Sequence, residues 1–166
     1  MLALKLGLSL VSTPILGGWS PDDETSLVAW YQNRVGITLN GSDVSHWEDS
    51  ATAGLYDMIQ TAEVTEQPAY SGGVLTFVSA NDENLQSAGQ ISLTADFTLG
   101  LRINTSTTNG SFLADNTSAN EFFKYSGTTS NRIAFKIAGS SSTNLDLDSG
   151  TFGDDYIVIT RVSDVL

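Results

Sequence analysis

From Phe97 to Asn104 the chain reads FTLGLRIN, and its large apolar residues fall on every second position: Phe97, Leu99, Leu101 and Ile103. Successive side chains of a strand point to opposite faces, so this alternation predicts a strand with one buried face. RIAFKIAG repeats the pattern with Ile133, Phe135 and Ile137. In YIVITRV, Tyr156, Val158 and Thr160 oppose Ile157, Ile159 and Arg161. Its first half is apolar on both sides, as in a central strand. Shorter apolar or β-branched runs predict further strands at 27–31, 44–47, 56–60, 74–79, 111–114, 121–125 and 144–147. Turn clusters such as NGSD, SANDEN, SGTTSN and GSSSTN separate them. Short strands at this spacing predict an all-β, antiparallel sandwich or barrel.

The N-terminus alternates too. Leu2, Leu4, Leu6, Leu8 and Leu10 share one face, opposite Ala3, Lys5, Gly7 and Ser9. A secretory signal would need an unbroken apolar stretch and a small-residue cleavage site, so an extended arm is the expectation. STPILGGWSP, with two prolines and a Gly-Gly, reads as a hinge. SPDDE then has Ser20 as N-cap, Pro21 at the first helical position and acids in the first turn. The β-branched and aromatic LVAWY that follows limits this helix to about a turn. The expected division is therefore an arm and hinge over 1–20 and a β domain over 21–166.

At 166 residues the chain is long enough to bury roughly 70% of its unfolded surface in one domain. Only 16% of residues are charged, so Ser, Thr, Asn and Gly supply much of the polar surface. That mixture favours strands and turns. Seven basic residues against 19 acidic give a net charge of −12, which repels nucleic-acid backbones and anionic membrane surfaces. No stretch approaches the roughly 20 apolar residues of a membrane span. With no cysteine, disulfides, thiolate metal sites and cysteine nucleophiles are excluded.

Candidate chemistry begins with VSHWEDS, which holds the single histidine, His46. A serine-hydrolase triad needs a nucleophile on a strained elbow, and G-x-S-x-G does not occur. Alternation places Val44 and His46 on one face and Ser45 and Trp47 on the other, so the expectation is Trp47 inward and His46 outward. Glycosidases need two carboxyl groups facing one groove, and Asp146 and Asp148 have the required two-residue spacing. They read more simply as the solvent face of an edge strand whose other face carries Leu145 and Leu147. No catalytic residue and no cofactor is expected. Were calcium bound, its ligands would come from SANDEN and DSGTFGDD, with Asp82, Asp148, Asp154 and Asp155 as the candidates. Asn40, Asn104, Asn109 and Asn116 head Asn-x-Ser/Thr triplets, which a chain rich in these residues produces by chance.

The segment 27–87 carries a family pattern. A predicted strand ends in Trp30-Tyr31; Trp47 and Asp49 follow in Trp-x-Asp; Gln67-Pro68 leads to Gly72-Gly73; then come Phe77 and the acidic turn SANDENL. This succession resembles the concanavalin A-like, laminin-G-type jelly-roll domains of phage and bacterial surface proteins. The resemblance implies core positions for Trp30, Trp47 and Phe77, and turn roles for Asp49 and Asp82. Where the family normally has Gly and Asn after the Trp-x-Asp, this chain has SATAG. The acidic strand motif of the family's enzymes is missing, and the family's further hairpin after YIVITRVSD is not matched. The leucine arm, hinge and domain together resemble virion proteins of marine phages, particularly cyanophages.

The resulting expectation is a non-enzymatic phage virion structural protein, a capsid decoration (cement or knob) protein on the particle exterior or an appendage. Its arm, through Leu2, Leu4, Leu6, Leu8 and Leu10, would add a strand to the major capsid protein, another virion protein or a copy of itself. The alternative is a carbohydrate-binding, lectin-like module, calcium-assisted, of a tail fibre or bacterial surface protein. Tyr70, Tyr125 and Phe152 are its sugar-stacking candidates.

Overall fold

The computed structural model describes residues 19–91, 95–104, 110–114, 122–125, 132–136, 143–146 and 154–162. The leucine arm from Leu2 to Leu10, most of the hinge, Asp148 and Phe152 lie outside the described residues.

The described chain is mostly β, with antiparallel pairing throughout and only single 3₁₀ turns as helix. The first of these turns, Pro21–Asp23, is the helix start anticipated at SPDDE, and the Ser20 N–H donates to Asp23 Oδ2 at 2.7 Å. No described helix is long and apolar enough to cross a membrane.

The N-terminal half builds one sheet from short strands: β1 (Ile37–Asn40), β2 (Asp43–Trp47), β3 (Met58–Ile59), β4 (Ala69–Ser71), β5 (Val74–Thr76) and β6 (Gln86–Ser87). Their order is β5-β4-β2-β3-β6, with β1 on the other side of β2. Gly72 and Gly73 form the two-residue loop between β4 and β5, with φ of +62° and +87°. Positive φ at both central positions is the type I′ hairpin geometry, which matches the twist of the paired strands. A Cβ on Gly73 would lie 2.7 Å from Arg34 Nε, and Arg34 Nη2 donates to Gly72 O at 3.1 Å. The Gly-Gly thus serves both the turn and the arginine laid against it.

The C-terminal half makes two further sheets. β7 (Phe97–Asn104) pairs with β12 (Asp154–Arg161) in an unbroken ladder from Asn104↔Asp154 to Phe97↔Arg161. β8 (Gly110–Ala114), β9 (Phe122–Tyr125), β10 (Arg132–Lys136) and β11 (Thr143–Asp146) form a meander in the order β11-β10-β9-β8. The two sheets contribute to one apolar cluster. Phe123, Ile133, Ile157 and Ile159 are buried, and Phe97, Leu99, Leu101, Ile103, Phe112 and Leu113 pack against them. The Phe123 ring meets Phe97 edge-on and Phe112 at a tilt, each at a centroid distance of 6.3 Å. Period-two patterning explains this directly: β7 turns its apolar alternate residues inward and Thr98, Gly100, Arg102 and Asn104 outward.

Two sequence expectations are corrected here. Residues 27–31 are not a strand. The Trp30 N–H donates to a carboxylate, Asp49 Oδ1, rather than to a ladder carbonyl. The strand expected over 74–79 ends at Thr76, and Phe77 is 52% exposed, so it is not a core residue. The chain turns there because the Val78 N–H is drawn to Glu83 Oε2 at 2.6 Å and a 3₁₀ turn begins at Ser79.

Candidate functional site

The region around His46 departs from simple alternation at one residue. Thr38 pairs with His46 and Leu39 with Val44, so Ser45 is an extra residue, a β-bulge. A bulge bends the strand and breaks the period of two. Ser45 is held at the bulge on two sides: its hydroxyl donates to Thr38 O at 3.2 Å, and its carbonyl accepts from the Gln60 N–H at 3.0 Å. Val44 is fully buried, whereas His46 and Trp47 are both half-buried. The expectation of Trp47 inward and His46 outward is therefore corrected. Trp47 lies on Tyr31, ring centroids 5.5 Å apart, and its Nε1–H is shared between Gln32 O and Val35 O at 3.1 and 3.2 Å. Trp30 is also half-buried. The core positions expected for Trp30 and Trp47 are thus corrected to half-buried ones.

Asp49 is the centre of the region. It is buried, at 7% exposure. Its Oδ1 accepts from the Trp30 N–H at 2.9 Å and the Ala51 N–H at 3.0 Å, and its Oδ2 accepts from the Tyr56 N–H at 3.2 Å. The Asp49 N–H in turn donates to Asp57 Oδ1 at 2.8 Å. Two carboxylates thus hold four backbone N–H groups from three separate segments. The local bond to Ala51 is the turn role expected of Asp49. The reach to Trp30 and Tyr56 exceeds it.

His46 joins this knot from the side. Its Nε2 lies 3.1 Å from Asp57 Oδ2, within ion-pair distance, but no aligned hydrogen bond forms and the atom is buried without another partner. The Asp49 N–H, and after it His46, hold the Asp57 carboxyl below the usual carboxylate range. The Tyr31 hydroxyl donates to Tyr56 O. Burial first, then the Asp49 and Asp57 charges, pushes its phenol well above the usual range. Tyr31 therefore stays neutral and acts as a donor. The dyad of His46 and Asp57 has the residue types of an acid–base pair, yet its carboxylate already accepts a backbone N–H.

The Asp57 bond has a pH consequence. A carboxyl whose folded pKa is depressed stabilises the fold above its unfolded pKa, and that stability is lost as pH falls through the folded value. Urea midpoints measured from neutral pH into the acid range should fall for the wild type, and Asp57→Asn should lose part of that acid dependence. Identical slopes in the two proteins would refute the assignment.

A second polar network follows β3 at Gln60. Gln60 and Gln67 are buried. Gln67 Nε2 donates to Gln60 O at 2.6 Å, and Gln60 Nε2 reaches Asn84 Oδ1 at 3.1 Å and Glu66 Oε2 at 3.3 Å. An open groove of about 470 Å³ beside it is lined by Asp43, Val64, Thr65, Gln67, Asn81 and Glu83. Glu83 is engaged there by the Val78 N–H and Asn81 Nδ2.

The remaining candidates are scattered. Tyr70 is half-buried in β4, with its N–H on Ser42 O. Tyr125 lies in β9 opposite Ile133, and Asp146 lies in β11 opposite Arg132. Asp82 shapes its turn through a left-handed backbone, φ +52°, rather than through its side chain. Asp154 is bidentate with Arg102, and Asp155 follows it on β12. Among the described residues no group of three or more acidic or histidine side chains is arranged to hold a metal ion. Asp57 and Tyr31 were not anticipated. The signal available was the eight-residue spacing from Asp49 to Asp57 across a turn rich in Ala, Thr and Gly. Comparison with protein-family models, curated proteins and solved structures finds nothing that matches this chain.

Proposed function

We propose that the chain is a non-enzymatic structural module of a phage particle, a capsid decoration protein whose antiparallel sheets complete a concanavalin A-like jelly roll. The observation that carries this reading is the use of its acids. At the one place where histidine, carboxylates and a tyrosine meet, Asp49 and Asp57 bind backbone N–H groups and tie three segments together. Such carboxylates are engaged in holding the scaffold. The apolar cluster shared by β7, β12 and the β8–β11 sheet suits the same role, a body that stands on a surface without changing shape. The leucine arm is the docking element in this proposal: Leu2, Leu4, Leu6, Leu8 and Leu10 add a strand to a capsid protein or a neighbouring copy, and backbone hydrogen bonds supply most of the affinity.

Deleting residues 1–13 tests it. The shortened protein is expected to remain folded, with an unchanged urea midpoint, and to lose co-sedimentation with particles. Undiminished particle binding would remove the arm from the proposal.

A further inference from the structure

β5 ends the N-terminal sheet, and among the described residues its only strand neighbour is β4. The pairs are Ser71↔Val74, Tyr70↔Leu75 and Ala69↔Thr76. Around a two-residue loop the flanking pair exchanges hydrogen bonds, and bonded and non-bonded pairs then alternate. Val74 and Thr76 therefore bond β4, while Leu75 turns its N–H and C=O to the open side. The Tyr70 N–H agrees with this phase, because it donates away from β5, to Ser42 O at 2.9 Å. The chain is still extended at Val78, with φ −107° and ψ 109°, so Phe77 repeats the outward phase of Leu75.

Natural sheets guard such edges with charge, proline or a bulge. None of these protects β5. No residue over 67–81 is charged, β5 holds no proline, and it pairs with β4 without a register shift. Its side chains are open as well. Val74 is 59% exposed, Phe77 52% and Val78 42%, with Thr76 exposed between the valines. At a net charge of −12, two copies of this chain repel each other over most of their surface. An uncharged strip is where they can approach.

We propose that β5 is a self-association edge, on which a second copy of this chain adds its own β5 antiparallel about a twofold axis at Thr76. Leu75 exchanges two backbone hydrogen bonds with the partner's Phe77, and Phe77 does the same with the partner's Leu75. Thr76 faces the partner's Thr76, and Val74 faces the partner's Val78. Threonine and β-branched residues are what such close cross-strand pairs favour. The strip is self-complementary, since a twofold places the same surface on both sides. Residues 74–78 are few beside the roughly 20–30 a side of a standard interface, so the dimer is weak and forms at high concentration. The pairing needs neither the leucine arm nor a particle.

The test is analytical sedimentation of the full chain from about 10 µM to about 1 mM. Wild type should pass from monomer to dimer, and added salt should strengthen the dimer by screening the repulsion between copies. Thr76→Lys and Thr76→Glu each place like charges on the axis and should weaken dimerisation about tenfold or more at unchanged urea midpoints. An equimolar mixture of the two should dimerise again, because lysine then faces glutamate. Val74→Lys, at another exposed position, should weaken the dimer too and decides the matter if a Thr76 variant unfolds. A wild type that stays monomeric, or a dimer that survives Thr76→Lys, overturns the proposal. So does a monomer that dimerises only after deletion of residues 1–13, which would give the edge to the chain's own arm.

Discussion

Asp49→Ala is expected to lower the folding free energy by about 3–5 kcal/mol, because it strands three backbone donors at once. The donors belong to Trp30, Ala51 and Tyr56, and the carboxylate that satisfies them is 7% exposed. An unsatisfied buried donor costs about 1–3 kcal/mol, and the half-buried Trp30 and Tyr56 can recover part of this from water, which places the sum at the lower end. A domain of this size has only about 5–15 kcal/mol in total, so the variant should sit near its threshold. Asp49→Asn separates the two oxygens. An amide keeps an acceptor for Trp30 and Ala51 but turns its NH₂ toward the Tyr56 N–H, so it should lose roughly half as much. Urea denaturation measures both. A loss below about 1 kcal/mol for Asp49→Ala would show that the N–H groups find other partners.

Ile133→Ala should cost about 2–5 kcal/mol for a different reason. Ile133 is fully buried on the central β10, between β9 and β11, and its side chain belongs to the cluster with Phe123, Ile157 and Ile159. Truncation opens a cavity that strands on both sides prevent from closing. Ile133→Val removes one methylene and should cost about 0.5–1.5 kcal/mol. The pair of variants makes a graded test by the same denaturation measurement. Equal effects from valine and alanine would mean that the site collapses around the smaller residue and that the two sheets are less tightly packed than the structure shows.

How far the sequence was legible depends on which interaction sets each element. β7 was readable to the residue, because four of its eight alternating positions face one apolar layer and nothing competes with the ladder. β10 and β12 were readable for the same reason, within two residues at most boundaries. The N-terminal sheet was less legible. β3, β4 and β6 contain two or three residues each, too few for any period to show, and β1 runs into the NGSD turn cluster. Residues 27–31 have strand composition, but the partner of the Trp30 N–H is a side chain 19 residues away, which propensity does not register. The site followed the same division. The turn role of Asp49 is what the family resemblance implies, while its grip on Trp30 and Tyr56 is tertiary. The orientations of His46 and Trp47 were misjudged because one inserted residue, Ser45, shifts the strand's faces. The leucine arm lies outside the described residues.

The longest described ladder also has a temporal side. β7 and β12 pair across separations of 50 residues at Asn104↔Asp154 (154 − 104) and 64 at Phe97↔Arg161 (161 − 97). At the ordinary pace of a ribosome, about 5–20 residues per second, β7 waits roughly 3–10 s for its ladder partner to be made. β8, β9 and β10 arrive sooner and can cover its apolar face, but they pair among themselves and leave the β7 backbone groups unmatched in the meantime. An unpaired strand of this length can accept an identical β12 from a second nascent chain before its own is made. Crowded synthesis of many copies is therefore the condition under which this fold is most exposed to exchanging strands between molecules, and the β7–β12 seam is where such an exchange would begin.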